Sequence, residues 1–72
     1  MAKLPRISGK EAVAKFGRAG WSVARQKGSH VMMTRQGSIV TLSIPQHPEL
    51  DSGLLRGLIR IAGLSVDEFI AL

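Results

Sequence analysis

Three short segments in the middle of this chain alternate apolar and polar residues, and this pattern restricts the possible folds more than any other feature. Alternation with a period of two is typical of strands that bury one face. Gly28-Ser29 and Gln36-Gly37 separate the segments, and connections this short predict tight turns and antiparallel pairing. Pro45 ends the third segment, because proline has no N–H to donate to a neighbouring strand. The predicted strands lie within residues 21–24, 30–34 and 39–44.

A helix pattern precedes the predicted strands. Ser8 and Glu11 match a capping box, in which the serine hydroxyl and the glutamate carboxylate each accept a hydrogen bond from a free backbone N–H. Gly20 is a typical residue at the end of a helix. Four apolar residues between these signals fall on one helix face: Ala12, Val13, Phe16 and Ala19.

A second helix pattern follows the strands and begins at Asp51 or Ser52, either of which can cap it. Gly63 ends this helix, and Ser65 with Glu68 forms a second capping box that opens a short terminal helix. The apolar stripe of the second helix consists of Leu55, Leu58, Ile59 and Ala62.

The order of these patterns predicts one α+β domain over residues 1–72. Both long helices have a single apolar face, and one face of the three-stranded antiparallel sheet is apolar. The simplest packing places both helices on that face and leaves the other face of the sheet open to solvent. This α-β-β-β-α arrangement with a short C-terminal helix is similar to that of double-stranded-RNA-binding domains, although a fold alone does not establish a function.

The basic residues are concentrated in the first half of the sequence. Residues 1–35 contain eight Lys and Arg against one Glu, a net charge of +7. Residues 36–72 contain two Arg against four acidic residues, a net charge of −2. Such an asymmetry indicates a surface that binds a polyanion. The alternative is a basic surface that serves solubility alone.

The composition argues against several other classes of protein. The chain has no cysteine, so it predicts neither disulfide bonds nor a thiolate metal site, as expected in a reducing cytosol. No apolar run approaches the roughly 18 residues of a membrane span, and the N-terminus lacks the apolar segment of a signal peptide. We therefore expect a cytoplasmic protein without a membrane partner.

His30 is the first candidate for chemistry, because imidazole takes up and releases protons near neutral pH. It follows the Gly28-Ser29 turn, with Arg25 and Lys27 just before that turn. Its side chain alternates with those of Val31 and Met33, so if these two face the helices, His30 points to the open face or its edge. There it can act as general acid or base on RNA, with the two cations beside the phosphates. The alternative is an ordinary surface histidine.

His47 lies between prolines in the segment Pro45-Gln46-His47-Pro48, which restricts its loop. It can serve as a second proton-transfer group, or its side chain can bond the local backbone. His30 and His47 are the chain's two histidines, and neither an acidic cluster nor a cysteine accompanies them. The sequence therefore predicts no metal site and no cofactor.

Arg56 and Arg60 lie one helical turn apart, away from the apolar stripe of the second helix. They can contact phosphate, pair with acidic groups of a partner, or simply solvate the helix surface. Trp21 and Phe16 are expected in the core. Because of this, a mode of binding in which RNA bases stack on aromatic side chains is poorly supported.

The chain resembles the HicA family of toxins from prokaryotic toxin–antitoxin pairs. The similarity depends on the order and spacing of short fragments that run through nearly the whole sequence. The fragments are Ile7-Ser8-Gly9-Lys10-Glu11, Arg25-Gln26-Lys27-Gly28-Ser29-His30, Pro45-Gln46-His47, Leu50-Asp51-Ser52-Gly53-Leu54-Leu55-Arg56, Ala62-Gly63-Leu64-Ser65 and Asp67-Glu68-Phe69.

This resemblance implies a ribosome-independent endoribonuclease that cleaves mRNA and has a fold like that of double-stranded-RNA-binding domains. It implies that His30 is the catalytic residue and that a HicB-type antitoxin protein binds the toxin and covers this site. We expect Arg25, Lys27, Ser29 and Arg56 to bind the RNA. No metal is expected to take part, and cleavage is expected to leave a 2′,3′-cyclic phosphate or its 3′-phosphate hydrolysis product.

Leu54 departs from the family pattern, in which threonine is usual at this position. If that hydroxyl caps the helix or touches RNA, Leu54 weakens the site, although Ser52 can substitute for it.

Two other functions stay open on the sequence alone. The chain can be a non-catalytic RNA-binding module with the same basic surface, or an interaction subunit whose basic patch docks an acidic partner protein. RNA cleavage separates the toxin from both, and a steep salt dependence of RNA affinity separates the second from the third. Few exposed side chains are suited to reading bases, so we expect a low preference for RNA sequence.

Overall fold

The computed structural model describes residues 3–72 and contains three helices and three strands in these residues. The elements are α1 (Gly9–Arg18), β1 (Ser22–Lys27), β2 (His30–Thr34), β3 (Leu42–Pro45), α2 (Ser52–Ile61) and α3 (Val66–Ile70). The strands form one antiparallel sheet in the order β1-β2-β3. The predicted α+β architecture is confirmed, including the short C-terminal helix.

The helices begin and end where the sequence signals placed them. Ser8 and Glu11 form a capping box at α1, and Ser65 and Glu68 form one at α3. Gly20 and Gly63, which follow the ends of α1 and α2, have φ angles of 98° and 78°. Glycine adopts this left-handed conformation without the steric cost that a side chain brings.

The core lies between one face of the sheet and the helices. Val31 and Met33 of β2 are buried there, and the Phe16 and Phe69 rings from α1 and α3 pack with centroids 5.1 Å apart. The buried apolar residues are Ile7, Ala12, Phe16, Trp21, Val31, Met33, Leu42, Ile44, Leu50, Leu55, Leu58, Ile59, Ala62 and Phe69. All of them form one cluster, so these residues build a single hydrophobic core.

The third strand is shorter than the alternation predicts. β3 begins at Leu42, and Ile39 before it is fully exposed at 103% of its reference area. A turn closed by the Ser38 N–H donating to the Arg35 carbonyl oxygen (3.1 Å) is followed by unpaired residues up to Thr41. The alternating pattern of residues 39–41 therefore does not correspond to strand pairing, and the β2–β3 connection is longer than a tight turn.

The first strand is longer than predicted and more exposed. β1 continues to Lys27, and every one of its residues is exposed. Val23 is 54% exposed although its strand partner Met33 is buried, because β1 is an edge strand that the helices cover little. Trp21, just before β1, is buried at 3% exposure as expected.

None of the helices in residues 3–72 is long and apolar enough to cross a membrane.

Candidate functional site

His30 is the first residue of β2 and is exposed. Successive side chains of a strand point to opposite faces of a sheet. Since Val31 and Met33 are buried against the helices, His30 and Met32 point to the other face. No helix within residues 3–72 packs on this second face of the sheet, and we call it the open face. The predicted orientation of His30 is confirmed.

A β-bulge brings the two cations onto the same face as the histidine. Val23 pairs with Met33, whereas Arg25 pairs with Met32 and Lys27 with His30, so Ala24 is an extra residue in β1. Residues that lie directly opposite each other in an antiparallel pair share a face, with Cβ atoms about 4.5–5.5 Å apart. Arg25 and Lys27 therefore lie on the open face.

The bulge decides this arrangement, because a regular strand would place residues 23, 25 and 27 on one face. Without the extra residue, both cations would share the helix side with Val23. Bulges of this kind re-aim side chains and occur often at sheet edges. The sequence pattern placed the cations near His30 along the chain, but it did not predict the bulge that turns them toward it.

Backbone contacts connect the histidine to the loop after β3. His30 pairs with Pro45, and the Gln46 N–H donates to the Ser29 carbonyl oxygen at 2.7 Å. The Gly9 N–H at the start of α1 donates to the His47 carbonyl oxygen at 2.9 Å. The turn before His30, the loop after β3 and the N-terminus of α1 therefore meet at one corner of the molecule.

Gly9 fits this corner because it lacks a side chain. A Cβ atom there would collide with the Pro45 carbonyl oxygen and lie 2.8 Å from the Gln46 Cα. Both groups belong to the backbone, so they cannot move aside cheaply. Gly9 belongs to the first of the fragments that carry the family resemblance, and this contact gives a physical reason for a glycine there.

Ser29 and His47 flank the histidine corner. Ser29 is an exposed turn residue next to His30, and its carbonyl is held by Gln46. His47 is exposed and lies two residues beyond Pro45, the strand partner of His30. Its backbone carbonyl is bonded to Gly9, so the loop that carries its imidazole is fixed at the same corner.

Arg56 lies in a different part of the molecule from the other expected RNA-binding residues. It is exposed on α2, in the layer of helices behind the sheet. With Arg60 it lines a concavity of about 280 Å³ between α2 and the segment that leads to α3. The open face thus gathers Arg25, Lys27 and His30 but does not include Arg56.

The N-terminus of α2 does not need a hydroxyl at position 54. The Asp51 carboxylate caps this helix by accepting hydrogen bonds from the N–H groups of Gly53 (3.0 Å) and Leu54 (3.2 Å). Since Asp51 satisfies these donors, Leu54 leaves the cap intact, and Ser52 is not required as a substitute.

Other kinds of site find little support in the described residues. No group of three or more His, Cys, Asp or Glu side chains within residues 3–72 is arranged to hold a metal ion. The aromatic side chains, Phe16, Trp21 and Phe69, are at most 3% exposed, so they offer no stacking surface for a base. The Arg35 guanidinium lies over the Trp21 ring, 5.0 Å from its centroid, and covers it further.

Comparisons with a family model and with a solved structure point to the same kind of protein. A family model described as "HicA toxin of bacterial toxin-antitoxin" matches residues 9–64 of this chain. A chain in a solved structure, described as "Toxin-Antitoxin complex from Streptococcus pneumoniae", is similar with 37% sequence identity and a TM-score of 0.71. The similarity covers 81% of this chain and 98% of that chain. No curated protein matches the sequence significantly.

Proposed function

The chain belongs to the HicA toxin family of bacterial toxin–antitoxin systems, and on that premise we propose that it is an endoribonuclease that cleaves mRNA with His30. This proposal places the chain in the cytoplasm, where bacterial mRNA is translated. It also assigns a HicB-type antitoxin as the protein that neutralises it.

The observation that carries this proposal is the arrangement of the open face. An exposed imidazole lies opposite Lys27 in the strand register, and Arg25 lies on the same face two residue pairs further along. Cations at these positions attract a phosphate backbone and stabilise the negative charge that develops on a phosphoryl group during transfer. The histidine is therefore next to the place where a phosphodiester would bind.

The chemistry that follows is a transfer within the RNA. His30 takes the proton of a ribose 2′-hydroxyl, and the resulting oxygen attacks the adjacent phosphorus. The bond to the 5′-oxygen of the next nucleotide breaks, and that oxygen takes up a proton from water as it leaves. The products are a 2′,3′-cyclic phosphate and a free 5′-hydroxyl, and water can open the cyclic phosphate to a 3′-phosphate.

The chain's own residues supply the base and the groups that hold the RNA. His30 supplies general acid–base catalysis, which contributes about 10²- to 10⁴-fold to such reactions. Arg25 and Lys27 hold the backbone, and Ser29 lies at the turn beside the reacting phosphate. Arg56 binds the RNA away from the cleavage point, in keeping with its place on α2. The proposal needs neither metal nor cofactor.

The antitoxin part of the proposal is supported by the similar solved chain, which is part of a toxin–antitoxin complex. A partner that covers the open face would have to neutralise Arg25 and Lys27. We therefore expect a HicB-type protein to place acidic side chains there.

The experiment that tests the proposed function is cleavage of a long single-stranded RNA in EDTA. We expect the wild-type chain to cleave it and the His30→Ala variant to lose at least about 100-fold in rate while keeping its fold, since the side chain is exposed. His47→Ala is the matched control, because it removes the same side chain from the neighbouring loop, and we expect it to keep more activity than His30→Ala.

Each other outcome selects a different function. RNA binding without cleavage by the wild type would indicate a non-catalytic RNA-binding module. Failure to bind RNA at low salt would indicate a subunit whose basic surface docks a protein. Equal cleavage by the wild type and His30→Ala, or products that end in 5′-phosphate, would remove His30 or the 2′-hydroxyl mechanism from the proposal.

A further inference from the structure

Met32 is an apolar residue at the centre of the open face, and its direct neighbours on that face are polar. It lies in the middle of β2, the central strand, and pairs with Arg25 on one side and Ser43 on the other. Along its own strand, His30 and Thr34 share its face two residues away, a distance of about 7 Å. All four neighbours of this methionine on the open face are polar.

Met32 has no role in the hydrophobic core. Its strand neighbours Val31 and Met33 point into the core and are 8% and 1% exposed, whereas Met32 points away and is only half-buried. Strands with one solvated face normally alternate apolar and polar residues, so this position is expected to be polar. In β2 the departure from alternation lies at the centre of the face that carries His30.

Proteins that bind single-stranded RNA often stack its bases on exposed aromatic rings, and this chain offers none. Its aromatic side chains are Phe16, Trp21 and Phe69, and all three are buried. A methionine thioether is flexible and polarisable, and it makes favourable contacts with aromatic rings. Met32 therefore has the chemistry that the buried aromatic residues cannot supply.

We propose that Met32 is the contact surface for a nucleobase of single-stranded RNA, next to the phosphate held by His30, Arg25 and Lys27. The inference rests on the proposed function and extends it, because it assigns the base-contacting residue of the site. Every base presents an aromatic face, so a thioether contact raises the affinity for RNA that carries bases but selects only weakly among the four bases. This agrees with the low sequence preference expected of the chain.

The test separates contacts to bases from contacts to phosphates. In the uncleaving His30→Ala background, binding is measured to oligo(rA), to oligo(rU) and to an abasic ribose-phosphate oligomer of equal length. We expect Met32→Thr to weaken binding to the two base-bearing oligomers about 2- to 10-fold, the range of a thioether–ring contact. Binding to the abasic oligomer and the salt dependence of binding should stay unchanged, because no phosphate contact is lost.

Two further variants control for the fold. Met32→Leu keeps an apolar side chain of similar volume, and we expect it to retain more affinity than Met32→Thr. Met32→Phe supplies an aromatic ring, and we expect it to keep or raise affinity for base-bearing oligomers while leaving the abasic oligomer unaffected. If Met32→Thr does not fold, the phenylalanine variant still decides the question.

Several results overturn the inference. Equal weakening toward base-bearing and abasic oligomers would make the methionine effect structural. Unchanged RNA binding with impaired neutralisation by the antitoxin would place Met32 in a protein interface instead. Either result leaves the proposed function standing as long as the wild type cleaves RNA, whereas a wild-type chain that binds no RNA overturns the proposed function itself.

Discussion

The two faces of the sheet differ in nearly every physical property, although alternate residues of the same strands build them. On β2, Val31 and Met33 are buried in the core, while His30 and Thr34 are exposed on the open face. The helix side contains the contacts that stabilise the fold, and the open face carries the groups proposed for RNA chemistry. This separation predicts that stability and the proposed RNA chemistry can be changed independently at most positions.

One corner of the molecule joins the two faces. The start of α1 belongs to the helix side, yet Gly9 is bonded to His47 in the loop that follows β3. The same loop bonds Ser29, next to His30. A change at this corner should therefore affect both stability and the proposed chemistry, unlike changes elsewhere.

Replacing Gly9 with alanine tests this corner and should produce the largest effect. A Cβ at this position collides with the backbone at Pro45 and Gln46. Overpacking of this kind costs about 1–3 kcal/mol, and we expect Gly9→Ala to fall at the upper end because backbone must move. Denaturant unfolding measures the free energy, and RNA cleavage by the fraction that stays folded should also decrease.

Gly17→Ala is the matched control for that prediction. Gly17 lies in the same helix, and nothing lies within 4 Å of a Cβ built on it. Alanine should therefore leave the fold intact and stabilise it by up to about 1 kcal/mol through its higher helix propensity. If the two variants have the same stability, α1 does not hold the loop in the way the structure indicates.

Removing the two cations of β1 should change RNA binding without changing stability. Each phosphate contact in single-stranded RNA contributes about 0.7 to the slope of log affinity against log salt concentration. We expect the double variant Arg25→Gln/Lys27→Gln to lower that slope by about 1.4, and to change the free energy of unfolding by less than about 0.5 kcal/mol. Titrations at several salt concentrations measure the slope.

The double variant Arg56→Gln/Arg60→Gln removes the same charge from the helix layer. Both arginines line the concavity beside α2 rather than the open face. We expect a smaller change in the salt slope from this pair than from Arg25 and Lys27. An equal or larger change would mean that RNA follows α2, and the open face would then lose its assigned role as the main binding surface.

Local sequence signals predicted much of the fold, because each depends on a few neighbouring residues. The capping boxes at Ser8 and Ser65 and the glycines after α1 and α2 marked the helix ends correctly. The late start of β3 was not predicted. The alternation that begins at Ile39 shows which residue types follow one another, but it does not show whether a partner strand lies beside them. Strand pairing depends on contacts with another segment, which the alternation within one segment does not show.

The residues of the candidate site could be predicted from the sequence, but their arrangement in space could not. The sequence indicated His30, Arg25 and Lys27 as one group, and the alternation along β2 correctly predicted that His30 points away from the core. The bulge at Ala24 depends on the pairing register between β1 and β2, so no local pattern reveals it. The close approach of Gly9 to Pro45 joins segments that are far apart in sequence, which a local pattern does not reveal either.

The smallest expected effect concerns Lys15, which lies on the helix side of the sheet and stabilises that side alone. Its Nζ donates to the carbonyl oxygens of Leu72 (3.0 Å), Ile70 (3.3 Å) and Phe69 (3.4 Å), at the end of α3. A cation there satisfies carbonyls that the helix leaves free and also lies 5.4 Å from the centroid of the Phe69 ring. The lysine thus fastens the C-terminal helix to α1.

We expect Lys15→Met, which keeps the apolar stem, to cost about 1 kcal/mol, since the bonds are partly exposed and those to Ile70 and Phe69 are long. Lys10→Met is the control for stability, because Lys10 is exposed in the first turn of α1, where a positive charge is not favoured by the helix dipole. Thermal unfolding compares the two. The salt slope of RNA binding by Lys15→Met should equal that of the wild type, and a decrease would show that the helix side also contacts RNA, against the separation of the two faces.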